Sequence, residues 1–125
     1  NVSFHLVGYS GGGAVAVLLG ARRTDITSIR TVAGYLDHVA LNKLVNVAPL
    51  EGSLDPMQIA ASLKGVAQVH YSGADDPVIP AWVGKNFADK VGDPMCAKWE
   101  VIDHVGHGSG WKQFWRGSGY VIPQC

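Results

Sequence analysis

The chain has 125 residues, 47% of them apolar, which suits one domain with a buried core. Ten Lys and Arg balance ten Asp and Glu, so the formal net charge is zero. This balance argues against a nucleic acid or a membrane surface as partner, because both attract clustered positive charge. No apolar run approaches the ~18 residues of a membrane-spanning helix.

Apolar, β-branched runs alternate with helical segments along the chain. Strands are predicted over residues 2–9, 28–34, 66–73 and 98–106. Helices are predicted over 12–23, 53–65, 80–92 and 109–120, with an irregular or weakly helical stretch at 35–52. Crossovers of this length join parallel strands with right-handed connections. The sequence therefore predicts an α/β fold with a parallel sheet of four strands in sequential order, flanked by helices, in a single domain over 1–125.

A serine lies inside a glycine cluster at the end of the first predicted strand. Gly8-Tyr9-Ser10-Gly11-Gly12 fits G-x-S-x-G between a strand and a helix. There a sharp turn would lift the Ser10 hydroxyl above the sheet, with Gly8 and Gly12 avoiding collisions. The Gly11 amide would point to a developing oxyanion. A serine that only caps the helix and a phosphate-binding loop are the alternatives, although G-x-x-x-x-G-K-[ST] is absent. The context favours Ser10 as a nucleophile.

Carboxylates that could orient a general base follow two of the predicted strands. Asp76 follows the third strand and precedes the rigid Pro77-to-Pro80 turn, which would fix the direction of its side chain. Asp75 is the fallback, and Asp37 after the second strand is a further candidate. The competing interpretation is that these are ordinary turn aspartates.

Two histidines follow the fourth predicted strand. His107 lies in a Gly-His-Gly loop, and His104 lies nearer the strand end. A nucleophilic serine needs a base, and the base needs an orienting acid. The chain order Ser, Asp, His provides one candidate for each of these roles. No third ligand accompanies the two histidines convincingly, so neither a metal nor another cofactor is predicted.

The stretches HLVGYSGGG, SGADDPVIP and GHGSGW resemble the α/β-hydrolase superfamily across essentially the whole chain. VAGYLDH, followed by APLEGSLDP, is similar to bacterial esterase-like members, some of them exported. The resemblance implies Ser10 as nucleophile, Asp76 as acid and His107 as base. It also implies a serine hydrolase that acts on an ester-like or other small acyl substrate through an acyl-enzyme.

The sequence departs from that family because it begins at the nucleophile strand. In the family, an N-terminal half with four strands precedes this strand and provides the second oxyanion donor. We therefore expect the strand at 2–9 to have an apolar edge, paired with a missing N-terminal half or with a second copy of the chain. The alternative function is a catalytically incomplete hydrolase-like fragment that acts as a binding or assembly module.

Four apolar side chains are candidates for an acyl-binding surface or for the core: Tyr9, Leu36, Trp82 and Trp111. Cys96 and Cys125 lack the spacing of a metal site, so they are either a disulfide or two free thiols. A disulfide would suit an exported or periplasmic protein.

Overall fold

The computed structural model describes residues 2–44 and 54–125. Its sheet has four strands in the order β1-β2-β3-β4, and every neighbouring pair is parallel. The strands are β1 (Phe4–Tyr9), β2 (Ile26–Val32), β3 (Ala67–Gly73) and β4 (Ala97–Ile102). The predicted fold class and strand order are confirmed.

Helices connect the strands and follow the last of them. They are α1 (Gly11–Gly20), α2 (His38–Leu44), α3 (Pro56–Ile59), α4 (Trp82–Val91) and α5 (Trp111–Ser118). The helix predicted over 53–65 is divided, because α3 passes at once into a 3₁₀ helix, Ala60–Leu63. The stretch predicted as irregular or weakly helical contains α2, and its residues 45–52 lie outside the described residues.

The last predicted strand ends earlier than the sequence indicates. β4 ends at Ile102, and His104 has a positive φ of 64° that turns the backbone out of the sheet. Val105 is apolar because it packs in a core, not because it continues the strand. The residues after β4 are therefore free to form the loop that carries His107.

Two apolar cores lie on the two faces of the sheet, since side chains alternate along each strand. The first contains Ile29 of β2 and residues of α1, α4 and the 3₁₀ helix. The second contains Val32 of β2 and Trp111 of α5. The cores fix α1 on one face and α5 on the other, so the loops at the carboxyl ends of the strands are held from both sides.

β1 is an edge strand of this sheet. Val7 and Tyr9 are both about half exposed.

Cys96, directly before β4, and Cys125 form a disulfide, which is one of the two alternatives left by the sequence. Within residues 2–44 and 54–125, no helix combines the length and apolarity needed to cross a membrane.

Candidate active site

Ser10 lies at a sharp turn between β1 and α1. Its backbone has φ 53° and ψ −120°, a conformation that L residues rarely adopt and that costs on the order of 1–3 kcal/mol. The turn is held because the Ser10 N–H donates to the Val32 carbonyl (2.8 Å) and the Ser10 carbonyl accepts from the Tyr35 N–H (3.0 Å). The serine is thereby anchored to the end of β2 as well as to its own strand.

The glycines of the motif have unequal roles. A Cβ on Gly8 would lie 2.1 Å from the Gly12 carbonyl oxygen, so a side chain there is incompatible with the turn. A Cβ on Gly12 would meet no atom within 4 Å. The expectation that both positions avoid collisions is therefore right for Gly8 and wrong for Gly12, because the crowding occurs at the Gly8 Cα and not at the Gly12 Cα.

Asp76 lies in the turn after β3, where its carboxylate is held by three donors. Oδ1 accepts from the backbone N–H groups of Val78 (2.7 Å) and Ile79 (2.9 Å). Oδ2 accepts from Nδ1 of His107 at 2.9 Å, and the Asp76 side chain is fully shielded from solvent. The two amides fix the carboxylate orientation, which leaves one oxygen for the imidazole.

His107 joins the serine to this carboxylate. Its Nε2 lies 3.1 Å from the Ser10 hydroxyl oxygen, across 97 positions of sequence. Because Nδ1 faces a carboxylate, it carries the proton in the neutral ring, and Nε2 is then free to accept from the serine. Ser10, His107 and Asp76 therefore form one continuous hydrogen-bonded chain at the carboxyl end of the sheet.

A close backbone approach at Gly73 brings the segments that carry Asp76 and His107 together. A Cβ on this last residue of β3 would lie 2.4 Å from the Val105 carbonyl oxygen. The same carbonyl accepts the Asp75 N–H at 3.0 Å. Gly73 is not among the site residues predicted from the sequence; its only signal there is a glycine at a strand end directly before the paired aspartates.

The alternative acids and the alternative base have other surroundings. The Asp75 side chain is exposed, and Asp37 Oδ1 accepts the Ala40 N–H (3.1 Å) at the start of α2. His104 is exposed at its positive-φ position. Among the carboxylates of the described residues, only that of Asp76 hydrogen-bonds the His107 ring.

The apolar candidates for substrate contact divide between surface and core. Leu36 is 1% exposed and belongs to the first core, and Trp111 is 9% exposed and belongs to the second. Both therefore pack inside the protein instead of lining an exposed acyl surface. Trp82 is partly exposed at the start of α4, and Tyr9 is 47% exposed beside His107, with the ring centroids 5.4 Å apart.

Gly11 is the first residue of α1, so its N–H is one of those that a helix leaves without an internal partner. A Cβ on Gly11 would meet no atom within 4 Å, so the space in which a side chain would begin is open. Among the described residues, no group of three or more His, Cys, Asp or Glu side chains could hold a metal ion.

A buried polar network lies near the sharp turn between β1 and α1. The amide nitrogen of Gln68 donates to two backbone carbonyls, so its oxygen faces Nε2 of His70 at 2.9 Å. Nδ1 of His70 then accepts from the Thr31 hydroxyl at 2.7 Å. Complete burial lowers the pKa of His70 to about 3. A Cβ on Gly13 would lie 3.3 Å from the Thr31 side chain, so the first turn of α1 lies close to one end of this network.

Comparisons with known proteins place the fold. No protein-family model matches the chain, and no curated protein matches its sequence. Among solved structures, it is similar to an α/β hydrolase, MGS-MChE2, from a lagoon-sediment metagenome (TM-score 0.69, 18% identity, covering 91% of this chain and 58% of that one). It is also similar to the Pyrococcus furiosus esterase Pf2001 (TM-score 0.69, 16% identity, 92% and 49% covered). A third is the Pyrococcus horikoshii acylaminoacyl peptidase (TM-score 0.70, 13% identity, 86% and 20% covered). The chain thus spans less than two thirds of each of these structures.

Proposed function

Since this chain has the fold of the α/β hydrolases, we propose that it carries the catalytic triad of a serine hydrolase that acts on ester-like or other acyl substrates. The observation that carries the proposal is the hydrogen-bonded chain from the Ser10 hydroxyl through His107 to Asp76. The three residues come from separate loops, and a strained backbone presents the serine. A structural role alone gives no reason for that combination.

The chemistry follows from the direction of each hydrogen bond. His107 Nε2 takes the Ser10 proton while Oγ bonds to the acyl carbon, and the carbonyl oxygen becomes an oxyanion. Asp76 holds the ring orientation and stabilises the imidazolium. When the tetrahedral intermediate collapses, the bond to the leaving group breaks and His107 gives that group its proton. Water, deprotonated by His107, then attacks the acyl-enzyme, and Ser10 leaves with the proton restored.

The Gly11 amide supplies one donor to the oxyanion in this proposal. The second donor comes from polypeptide that pairs with the free edge of β1, where Val7 and Tyr9 are half exposed. A long apolar edge invites such pairing. The preceding polypeptide is the partner that we propose, because this chain spans only part of the hydrolase structures it is similar to. A molecular mass of twice the protomer would point instead to a second copy.

The test is labelling of the intact protein with a fluorophosphonate probe, followed by peptide mapping. We expect the label on Ser10, and we expect Ser10→Ala to remove both the label and p-nitrophenyl acetate turnover. Ser62→Ala is the matched control, because this exposed serine bonds only within its own helical turn (Ile59 carbonyl, 2.6 Å). It should label like the wild type.

Two results would reject the enzymatic proposal. One is a folded protein that the probe does not label at Ser10. The other is p-nitrophenyl acetate turnover that is unchanged in Ser10→Ala. A stable oligomer without turnover that depends on Ser10 would support the alternative, an assembly module that associates through β1.

A further inference from the structure

The backbone carbonyl of His107 accepts two side-chain hydrogen bonds. The Tyr9 hydroxyl donates to it at 2.8 Å, and Nε1 of Trp111 donates to it at 3.1 Å. Tyr9 directly precedes the nucleophile, and Trp111 begins α5. We propose that Tyr9 and Trp111 are positioning residues that hold the general base, and that Tyr9 is not primarily a contact for the acyl group. This inference rests on the proposed function.

The base needs such anchors because of its neighbours. His107 lies between Gly106 and Gly108, and glycine leaves the backbone more conformations than any other residue. The bonds from its ring to Ser10 and Asp76 constrain the side chain only. A rotation of the peptide plane could still move the ring while the loop stays in place. Two donors on the carbonyl oxygen fix that plane.

The two donors approach from different environments. Tyr9 is half exposed, whereas Trp111 is buried in the second core, where its ring packs edge-on against Phe114. The carbonyl is therefore tied both to the nucleophile strand and to the helix after the loop. Because Tyr9 and Ser10 are adjacent, any shift of the elbow carries the base with it, and the distance from Oγ to Nε2 is preserved.

The decisive variant is Tyr9→Phe, which removes one hydroxyl and keeps the ring beside His107. We expect kcat to fall about tenfold, the order of one lost hydrogen bond, with KM unchanged and the unfolding temperature lowered by only a few degrees. Tyr120→Phe is the control with the same chemical change at a position that is 87% exposed. Trp111→Phe should lower kcat in the same sense. The double variant should lose more than the product of the two single losses, because either donor alone still restrains the carbonyl.

A second readout does not depend on activity. Removing the Tyr9 hydroxyl should shift the carbonyl carbon resonance of His107 upfield, while Tyr120→Phe leaves it unchanged. If the wild type is not labelled at Ser10, the proposed function fails, and this resonance alone decides whether the Tyr9 hydroxyl is bonded to the His107 carbonyl. If the wild type is labelled, a raised KM with unchanged kcat in Tyr9→Phe would make Tyr9 a substrate contact. An unchanged kcat and resonance would also overturn the inference.

Discussion

The buried imidazole of His70 should make the stability of this protein depend on acid in a way that one substitution removes. In the folded state the ring is neutral, because it donates to Gln68, accepts from Thr31 and has a pKa lowered to about 3 by burial. In the unfolded chain the same ring titrates near 6.5. Between these two values the unfolded state binds one proton that the folded state does not bind. The free energy of unfolding therefore falls as the pH falls below about 6.5.

The size of the effect follows from the linkage relation. Each pH unit in that window is worth about 1.4 kcal/mol, so at pH 4.5 protonation of His70 in the unfolded state should lower the free energy of unfolding by roughly 3 kcal/mol. His70→Gln is the matched substitution, since a neutral amide can still donate to Gln68 and does not titrate. The assay is urea unfolding of the intact wild type and variant at pH 7.5 and 4.5.

Other groups contribute equally to both proteins, so the difference between wild type and variant isolates His70. We expect the stability advantage of the wild type over the variant to shrink by roughly 3 kcal/mol between pH 7.5 and pH 4.5. If that advantage is the same at both, His70 accepts a proton inside the folded protein. The reasoning from its burial and its two hydrogen bonds would then be refuted.

Three further predictions concern the site and its supports. In Asp76→Asn the two turn amides would hold the side-chain oxygen, which turns the amide nitrogen toward the imidazole and forces the wrong tautomer; kcat should fall about 10⁴-fold. The exposed substitution Asp75→Asn should leave kcat near the wild-type value, and equal losses would contradict the assignment. Gly73→Ala should abolish turnover and lower the unfolding temperature, whereas Gly117→Ala, in open space on α5, should preserve both. Retained turnover in the former would mean that the close approach is not required. Cys125→Ser opens a loop of 29 positions and should cost about 3.6 kcal/mol of unfolding free energy, as should a reductant applied to the wild type. An unfolding free energy that is unchanged in Cys125→Ser and in the reduced wild type, measured by chemical denaturation, would argue against the disulfide.

The strands and most of the helices could be predicted because they follow local patterns in the sequence, and the order of the strands follows from the connections between them. Alternating apolar runs and long crossovers leave few topologies for a chain of this size. The end of β4 was predicted too late, since Val105 is apolar for a reason of tertiary packing. The apolar character of Leu36 likewise could not tell core from binding surface, because both environments select the same side chain.

The site could be predicted only as far as side chains define it. The candidate acid and base were named by type and chain order. Two features of the site depend on main-chain carbonyls, which no residue type in the sequence indicates. One is the close approach of Gly73 to the Val105 carbonyl, and the other is the pair of hydrogen bonds to the His107 carbonyl. The donors to the His107 carbonyl are Tyr9 and Trp111. The sequence indicates them as apolar rings for an acyl-binding surface or the core, whereas in the structure their polar atoms form the hydrogen bonds.

The parallel order of the sheet has a consequence for biosynthesis. Every strand pairing must wait for a crossover to be completed, and the bond between Ser10 and His107 spans 97 positions. Pairings so distant along the chain make folding slow. During translation Ser10 therefore emerges long before His107, and the hydrogen bond between them cannot form until the loop that carries His107 has left the ribosome.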